Sequence, residues 1–261
     1  MQNLQIIKNQ LDKYVEKFNT LEFIDSDPIQ IPHRFSMKED IEISGFLAAT
    51  IAWGQRKSII KNALRLMDLM DNSPYDFLLN SNENIDWQRF TNFVHRTFNG
   101  EDCLFFIKSL KNIYLKHNGL EEVFALGFEK TKTIYDSLKF FRSVFLEVPH
   151  NQRVEKHLSD VSGGSAAKRL NMFLRWMVRS DCAGVDFGIW KKIPKSALML
   201  PLDVHSGNVG RAFGLLTRKQ NDWKAVEEIT KVLRSFDSAD PIKYDFALFG
   251  AGVFGEINEK Y

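Results

Sequence analysis

Apolar residues recur at three- and four-residue spacing along most of this chain, and little interrupts them. That constrains the fold more than any other feature, because this spacing gathers one face of a helix and scatters across both faces of a strand. Seven prolines and 15 glycines punctuate 261 residues. Leu4, Ile7, Leu11, Tyr14 and Phe18 predict an opening amphipathic helix. Residues 25–37 contain two prolines and read as a loop. Residues 41–55 are apolar on nearly every side, which predicts a buried helix; a strand also fits, but Leu47, Ala48, Ala49 and Ala52 favour the helix. Further helices are expected over 57–70, 101–117, 120–128, 132–147, 167–179, 206–216, 222–235 and 240–254, with Asn72-Ser73-Pro74 as a stop signal. No internal repeat or tandem strand pattern is present, so the expected class is all-α.

Charge and cysteine content exclude several functions. Lys plus Arg is 35 against 33 for Asp plus Glu, a net charge of +2, so any polyanion signal must be local. It is local: residues 163–219 hold ten basic side chains and three acids. Such asymmetry suits either a polyanion-facing surface or an ordinary solvated basic face. Cys103 and Cys182 alone cannot hold an iron–sulfur cluster or a zinc knuckle, and the six histidines lack companion ligand spacing; no metal and no cofactor are expected. The N-terminal residues carry charges every few positions, unlike a signal peptide, and no apolar run reaches membrane-spanning length. A cytoplasmic protein with no membrane partner is expected.

Residues 160–180, DVSGGSAAKRLNMFLRWMVRS, carry the most information. Gly163 and Gly164 permit a tight turn, and Ser165 is placed to cap the helix that follows. Backbone N–H groups at such a turn can hold a phosphate. Lys168, Arg175 and Arg179 then fall along one stripe, with Leu170, Phe173, Leu174 and Met177 on the core-facing arc. A lysine in a first helical turn meets the positive end of the helix dipole, a setting in which an amine serves as a nucleophile. The plainer alternative is a surface lysine after a flexible turn.

A second segment, MLPLDVHSGNVGRAFGLL over 199–216, sets Asp203 at the start of a helix. A carboxylate there caps the helix, stabilises positive charge in a ligand or deprotonates a nucleophile. His205 either contacts a phosphate or caps the same helix. Trp190, followed by Lys191 and Lys192, is either a wedge for a base stack or a core residue.

Together these segments resemble the helix-hairpin-helix DNA glycosylase superfamily. The resemblance covers residues 40–255 and implies an all-α, two-lobed fold with a cleft between lobes: 1–40 with 204–261 as one lobe, 41–203 as the other. In that family a Gly-rich hairpin binds DNA phosphate, a lysine follows it, and an aspartate opens a later helix. The resemblance places the lysine at Lys168 and the aspartate at Asp203, and it puts Gly163, Gly164, Ser165, Arg169, Arg175 and His205 on the DNA. Residues 46–67 resemble the family's early helix and glutamine-bearing turn, making Gln55 and Trp53 base-pocket candidates; Phe246 and Phe249 in the closing helix are the others. Trp53 and the two phenylalanines read equally as core packing. The common hairpin is Leu-x-Gly-x-Gly, whereas Val161-Ser162-Gly163-Gly164 stands here, and 35 residues separate Lys168 from Asp203. The archaeal-type 8-oxoguanine glycosylases resemble this pattern better, and the four-cysteine cluster of the endonuclease-III branch is absent. The chain also resembles an uncharacterised bacterial family, a domain of unknown function. The resemblance implies a monomeric base-excision repair enzyme, a glycosylase with AP-lyase activity on an oxidised purine such as 8-oxoguanine in double-stranded DNA. The alternative is a non-catalytic DNA-binding protein of the same fold.

Overall fold

Helices form where the apolar spacing requires them. A computed structural model of the protein describes residues 2–253. Among those residues the chain is all-α apart from one two-stranded ribbon. Residues 254–261, which include the end of the expected closing helix, lie outside the described residues. In order, the helices are α1 (Gln2–Phe18), α2 (Glu22–Ser26), α3 (Lys38–Thr50), α4 (Arg56–Leu69), α5 (Pro74–Asn80), α6 (Gly100–Lys116), α7 (Leu120–Glu129), α8 (Ile134–Phe145), α9 (Lys168–Val178), α10 (Val204–Ala212), α11 (Trp223–Phe236) and α12 (Tyr244–Val253). The ribbon pairs β1 (Val94–His95) with β2 (Phe98–Asn99) in antiparallel register. The expected loop over 25–37 contains two 3₁₀ turns, Pro28–Gln30 and Pro32–Arg34. No described helix is long and apolar enough to cross a membrane.

The chain divides into two compact units, one made of described residues within Met1–Asp25 and Val161–Tyr261, the other of Ser26–Asp160. The boundaries therefore fall after Asp25 and Asp160, not at 40/41 and 203/204 as the sequence reading put them. The hairpin turn and α9 belong with the C-terminal helices, the turn through backbone bonding to residues 222 and 223 and α9 through ion pairs, and not with the segment that precedes them.

Within Ser26–Asp160, α3 is buried from Asp40 to Thr50 on every side, as its unbroken apolar pattern requires. Phe46 meets the rings of Phe106, Phe141 and Phe145 at 6.0, 5.5 and 5.4 Å, and Phe124 stacks on Phe141 at 4.2 Å. Several polar groups in this interior are paired one to one. Tyr114 donates to Glu42 at 2.7 Å, and Asp40 accepts the Tyr75 N–H at 2.8 Å. α6 begins in a reciprocal capping box between Asn99 and Asp102, which satisfies two otherwise orphaned donors.

In the other unit, α12 packs on α1 and on α10. Tyr244 donates to Asp12 at 2.9 Å. Gly250 lies so close to the Phe18 ring that a methyl group there would come within 2.3 Å of it. The interior between α9 and α12 is ionic. Arg179 bonds Asp186, Asp240 and Asp181 at 2.9, 3.0 and 2.6 Å. Arg175 bonds Asp186 at 3.1 Å and also Asp245. Phe246 lies beneath both guanidinium groups, at 4.3 Å from Arg175 and 5.4 Å from Arg179.

Candidate functional site

The Gly-Gly turn forms as its sequence allows. Gly164 takes φ +88°, a region open to glycine, and its N–H bonds the Val161 carbonyl at 3.0 Å. Gly163 and Gly164 are exposed. Ser165 does not cap α9; its hydroxyl accepts the Ala167 N–H at 3.2 Å, one residue before the helix. Ala167 itself is the N-cap, in left-handed conformation at φ +48°. A residue with a Cβ pays a steric cost there, and such strain marks positions that the surrounding structure over-determines. Asn171 contributes to that constraint by donating to the Ala166 carbonyl at 3.1 Å. Lys168 follows as the first residue of α9, half-buried.

Asp203 is the N-cap of α10, in a capping box with Ser206. Its carboxylate accepts the Ser206 N–H at 2.9 Å and the hydroxyl at 3.1 Å. The two candidate segments are joined by residues 221–223. Asn221 donates to the Asp203 carbonyl at 2.9 Å. Asp222 forms an antiparallel bridge with Ser165, and the Trp223 N–H bonds the Gly164 carbonyl at 3.0 Å. Gly207 makes the first of these contacts possible, since a Cβ there would sit 2.8 Å from the Asn221 side chain. Arg211 braces Asn221 from the other side at 2.6 Å.

Asp245 on α12 completes the group. Its carboxyl is buried, and burial pushes it up to about 6; Arg175 opposes the rise, the negative charge of Asp203 adds to it, and Lys168 again opposes it. Asp245 therefore lies within electrostatic reach of both candidates. Among the described residues Lys168 and Asp203 form no ion pair with each other. The cluster holds an amine, a capped carboxylate and a buried carboxyl that takes up a proton near neutral pH.

Other expected contacts are placed differently. Arg175 is 4% exposed and Arg179 1%, both engaged by buried aspartates, so neither grips a ligand's backbone and the basic stripe is internal. The excess positive charge of 163–219 is in part neutralised by acids from outside that stretch. Arg169 is half-buried, and desolvation pulls its guanidinium down to about 10. His205 is exposed, with the Phe249 ring edge-on at 6.3 Å. Phe249 is half-buried. Phe246 is a core ring, held between the arginines and Phe23 at 5.1 Å, which corrects its reading as a pocket wall. Trp190 is likewise core, packed edge-on against Phe173 at 5.4 Å, which removes the wedge reading.

Trp53 and Gln55 belong to the unit Ser26–Asp160. Gln55 is exposed at the start of α4. Trp53 is half-buried, stacked on His157 at 5.9 Å and met edge-on by His95 at 5.0 Å. His95 accepts from Asn62 at 2.9 Å and donates to the Trp53 carbonyl at 3.1 Å, one consistent neutral tautomer; burial lowers its pKa. His157 lies 3.2 Å from the buried carboxylate of Asp102.

Sequence reasoning missed Asn221, Arg211 and Asp245. A carboxylate inside the apolar run YDFALFG was a usable signal for Asp245, because acids are seldom buried without a partner. Asn221 and Arg211 carried none.

A family model described as protein of unknown function (DUF2400) matches residues 27–254. The chain belongs to that family. The match takes in every candidate residue from Trp53 to Phe249 and leaves α1 outside it. No curated protein and no solved structure matches the chain.

Proposed function

We propose that this DUF2400 protein is a helix-hairpin-helix-type DNA glycosylase with AP-lyase activity, acting on an oxidised purine such as 8-oxoguanine in double-stranded DNA. One observation carries the reading: residues 221–223 fasten the Asp203 segment to the Lys168 segment, and Asp245 senses the charge of both. An amine and an acid from remote parts of the chain thus share one neighbourhood, beside an exposed Gly-Gly turn.

The chemistry follows from those groups. The target nucleotide leaves the base stack. The neutral Nζ of Lys168 attacks C1′ of its deoxyribose, and the C1′–N9 bond breaks with its electron pair leaving on the base, which takes up a proton. Asp203 receives the proton released from Nζ and balances the positive charge that develops on the sugar. Ring opening gives an imine between Nζ and C1′. Loss of a C2′ proton then expels the 3′ phosphate and nicks the strand.

Borohydride reduces such an imine to a stable amine and tests the reading. A duplex containing 8-oxoguanine should give a covalent band with the wild type and none with Lys168→Gln, and Asp203→Asn should slow trapping by about 10²- to 10⁴-fold. No band across a panel of lesions, with duplex binding intact, would leave the non-catalytic DNA-binding reading in its place. Absence of both trapping and binding would end both.

A further inference from the structure

The loop between α10 and α11 is built in an unusual way. Arg211 reaches out of α10 and donates to the carbonyls of Arg218 and Lys219, each at 2.9 Å. The loop's acceptors are thereby turned inward, and Lys219 and Gln220 are left exposed. Together with Thr217, Arg218, Lys224 and Glu228 they line an open surface pocket of about 440 Å³.

The acids near this pocket are already committed. Glu228 accepts both the N–H and the hydroxyl of Thr217, at 2.6 and 2.7 Å. Asp222 caps α11 and binds Arg218 at 2.5 and 2.7 Å. Among the described residues Lys219 and Lys224 have no carboxylate partner. Lys224 also lies in the first turn of α11, where a cation opposes the helix dipole and an anion would relieve it. The pocket adjoins the Gly-Gly turn through the Ser165–Asp222 bridge.

From this geometry we infer that the 217–224 pocket is a second backbone-phosphate site, at which Lys219 and Lys224 hold the phosphodiester chain of duplex DNA next to the Gly-Gly turn. The inference rests on the DNA reading above and extends it to residues outside the α9 stripe. It also supplies what the internal placement of Arg175 and Arg179 removed, a pair of accessible cations beside the turn.

The test is the salt dependence of binding by the full chain to a labelled duplex, followed by fluorescence anisotropy across a potassium chloride series. Loss of two phosphate contacts should make the log K against log [salt] slope shallower by about 1.8 in Lys219→Gln/Lys224→Gln. A control pair in the other unit, Lys130→Gln/Lys139→Gln, should leave the slope unchanged. A double variant with the wild-type slope would overturn this inference and leave the DNA reading standing. A wild type that binds no duplex would overturn both.

Discussion

Within Ser26–Asp160 the interior is filled with rings; between α9 and α12 of the other unit it is filled with paired charges. The phenylalanines around Phe46 contact one another at centroid distances from 4.2 to 6.0 Å and make no directional demand beyond shape. Arg175 and Arg179 instead face Asp186, Asp240 and Asp245, each bond fixing an angle as well as a distance. A ring cluster tolerates small shifts of its members. A buried ionic network fixes register, at the risk that losing one member strands the others without water. The network ends at Asp245, whose carboxyl feels the charges of Lys168 and Asp203, so the part of the protein built with the least positional slack adjoins the candidate chemistry.

The sharpest break of that contrast is Arg179→Met. It leaves Asp240 and Asp186 each short of a partner, and we expect a loss of about 3–5 kcal/mol in urea denaturation. A loss below about 1 kcal/mol would show that the network is no more demanding than the aromatic core. The next effect is in pH. Asp245 holds its proton to about pH 6 in the folded protein, above the ordinary aspartate value of 3.8, so the native state binds more protons between those values. Stability from this group is therefore full below about pH 4, falls as pH rises to about 6 and is level above, by about 3 kcal/mol in total. Asp245→Asn lowers the baseline by disturbing Arg175 but should flatten that fall, measured as denaturation free energy at each pH. An unchanged slope would take Asp245 out of the titration. The smallest effect lies in the aromatic unit. Tyr114→Phe removes a hydroxyl bonded to Glu42 and should cost about 1–2 kcal/mol, since Lys38 remains 3.8 Å from the same carboxylate. A loss as large as that of Arg179→Met would erase the distinction between the units.

The helices were legible because helix formation is local. Period and caps sit within a few residues, and α6, α9 and α11 lie within a residue of their expected ends. Failures have equally physical reasons. Pro74 was read as a stop, yet a proline at a first helical position also starts a helix, and α5 begins there. The ribbon has two residues per strand, too few for alternation, and its turn places Arg96 rather than a glycine at φ +57°. In the candidate site, Lys168 and Asp203 were singled out because their own segments mark them. Arg175 and Arg179 were misplaced because a basic stripe looks the same whether it faces solvent or a row of acids arriving from Asp186, Asp240 and Asp245. Asn221 acts through contacts 10 and 18 residues away, which no spacing rule anticipates.

The pairing of α1 with α12 has a consequence for how the protein assembles during synthesis. Asp12 leaves the ribosome 232 residues ahead of Tyr244, its partner. Closing a flexible loop of that length costs about 5 kcal/mol in chain entropy. Most of the intervening chain is the separate unit Ser26–Asp160, and once that unit has condensed the gap to be closed is far shorter. The nascent chain is thus expected to complete its inner segment first and to keep α1 waiting, with Leu11 uncovered, until the last helix arrives.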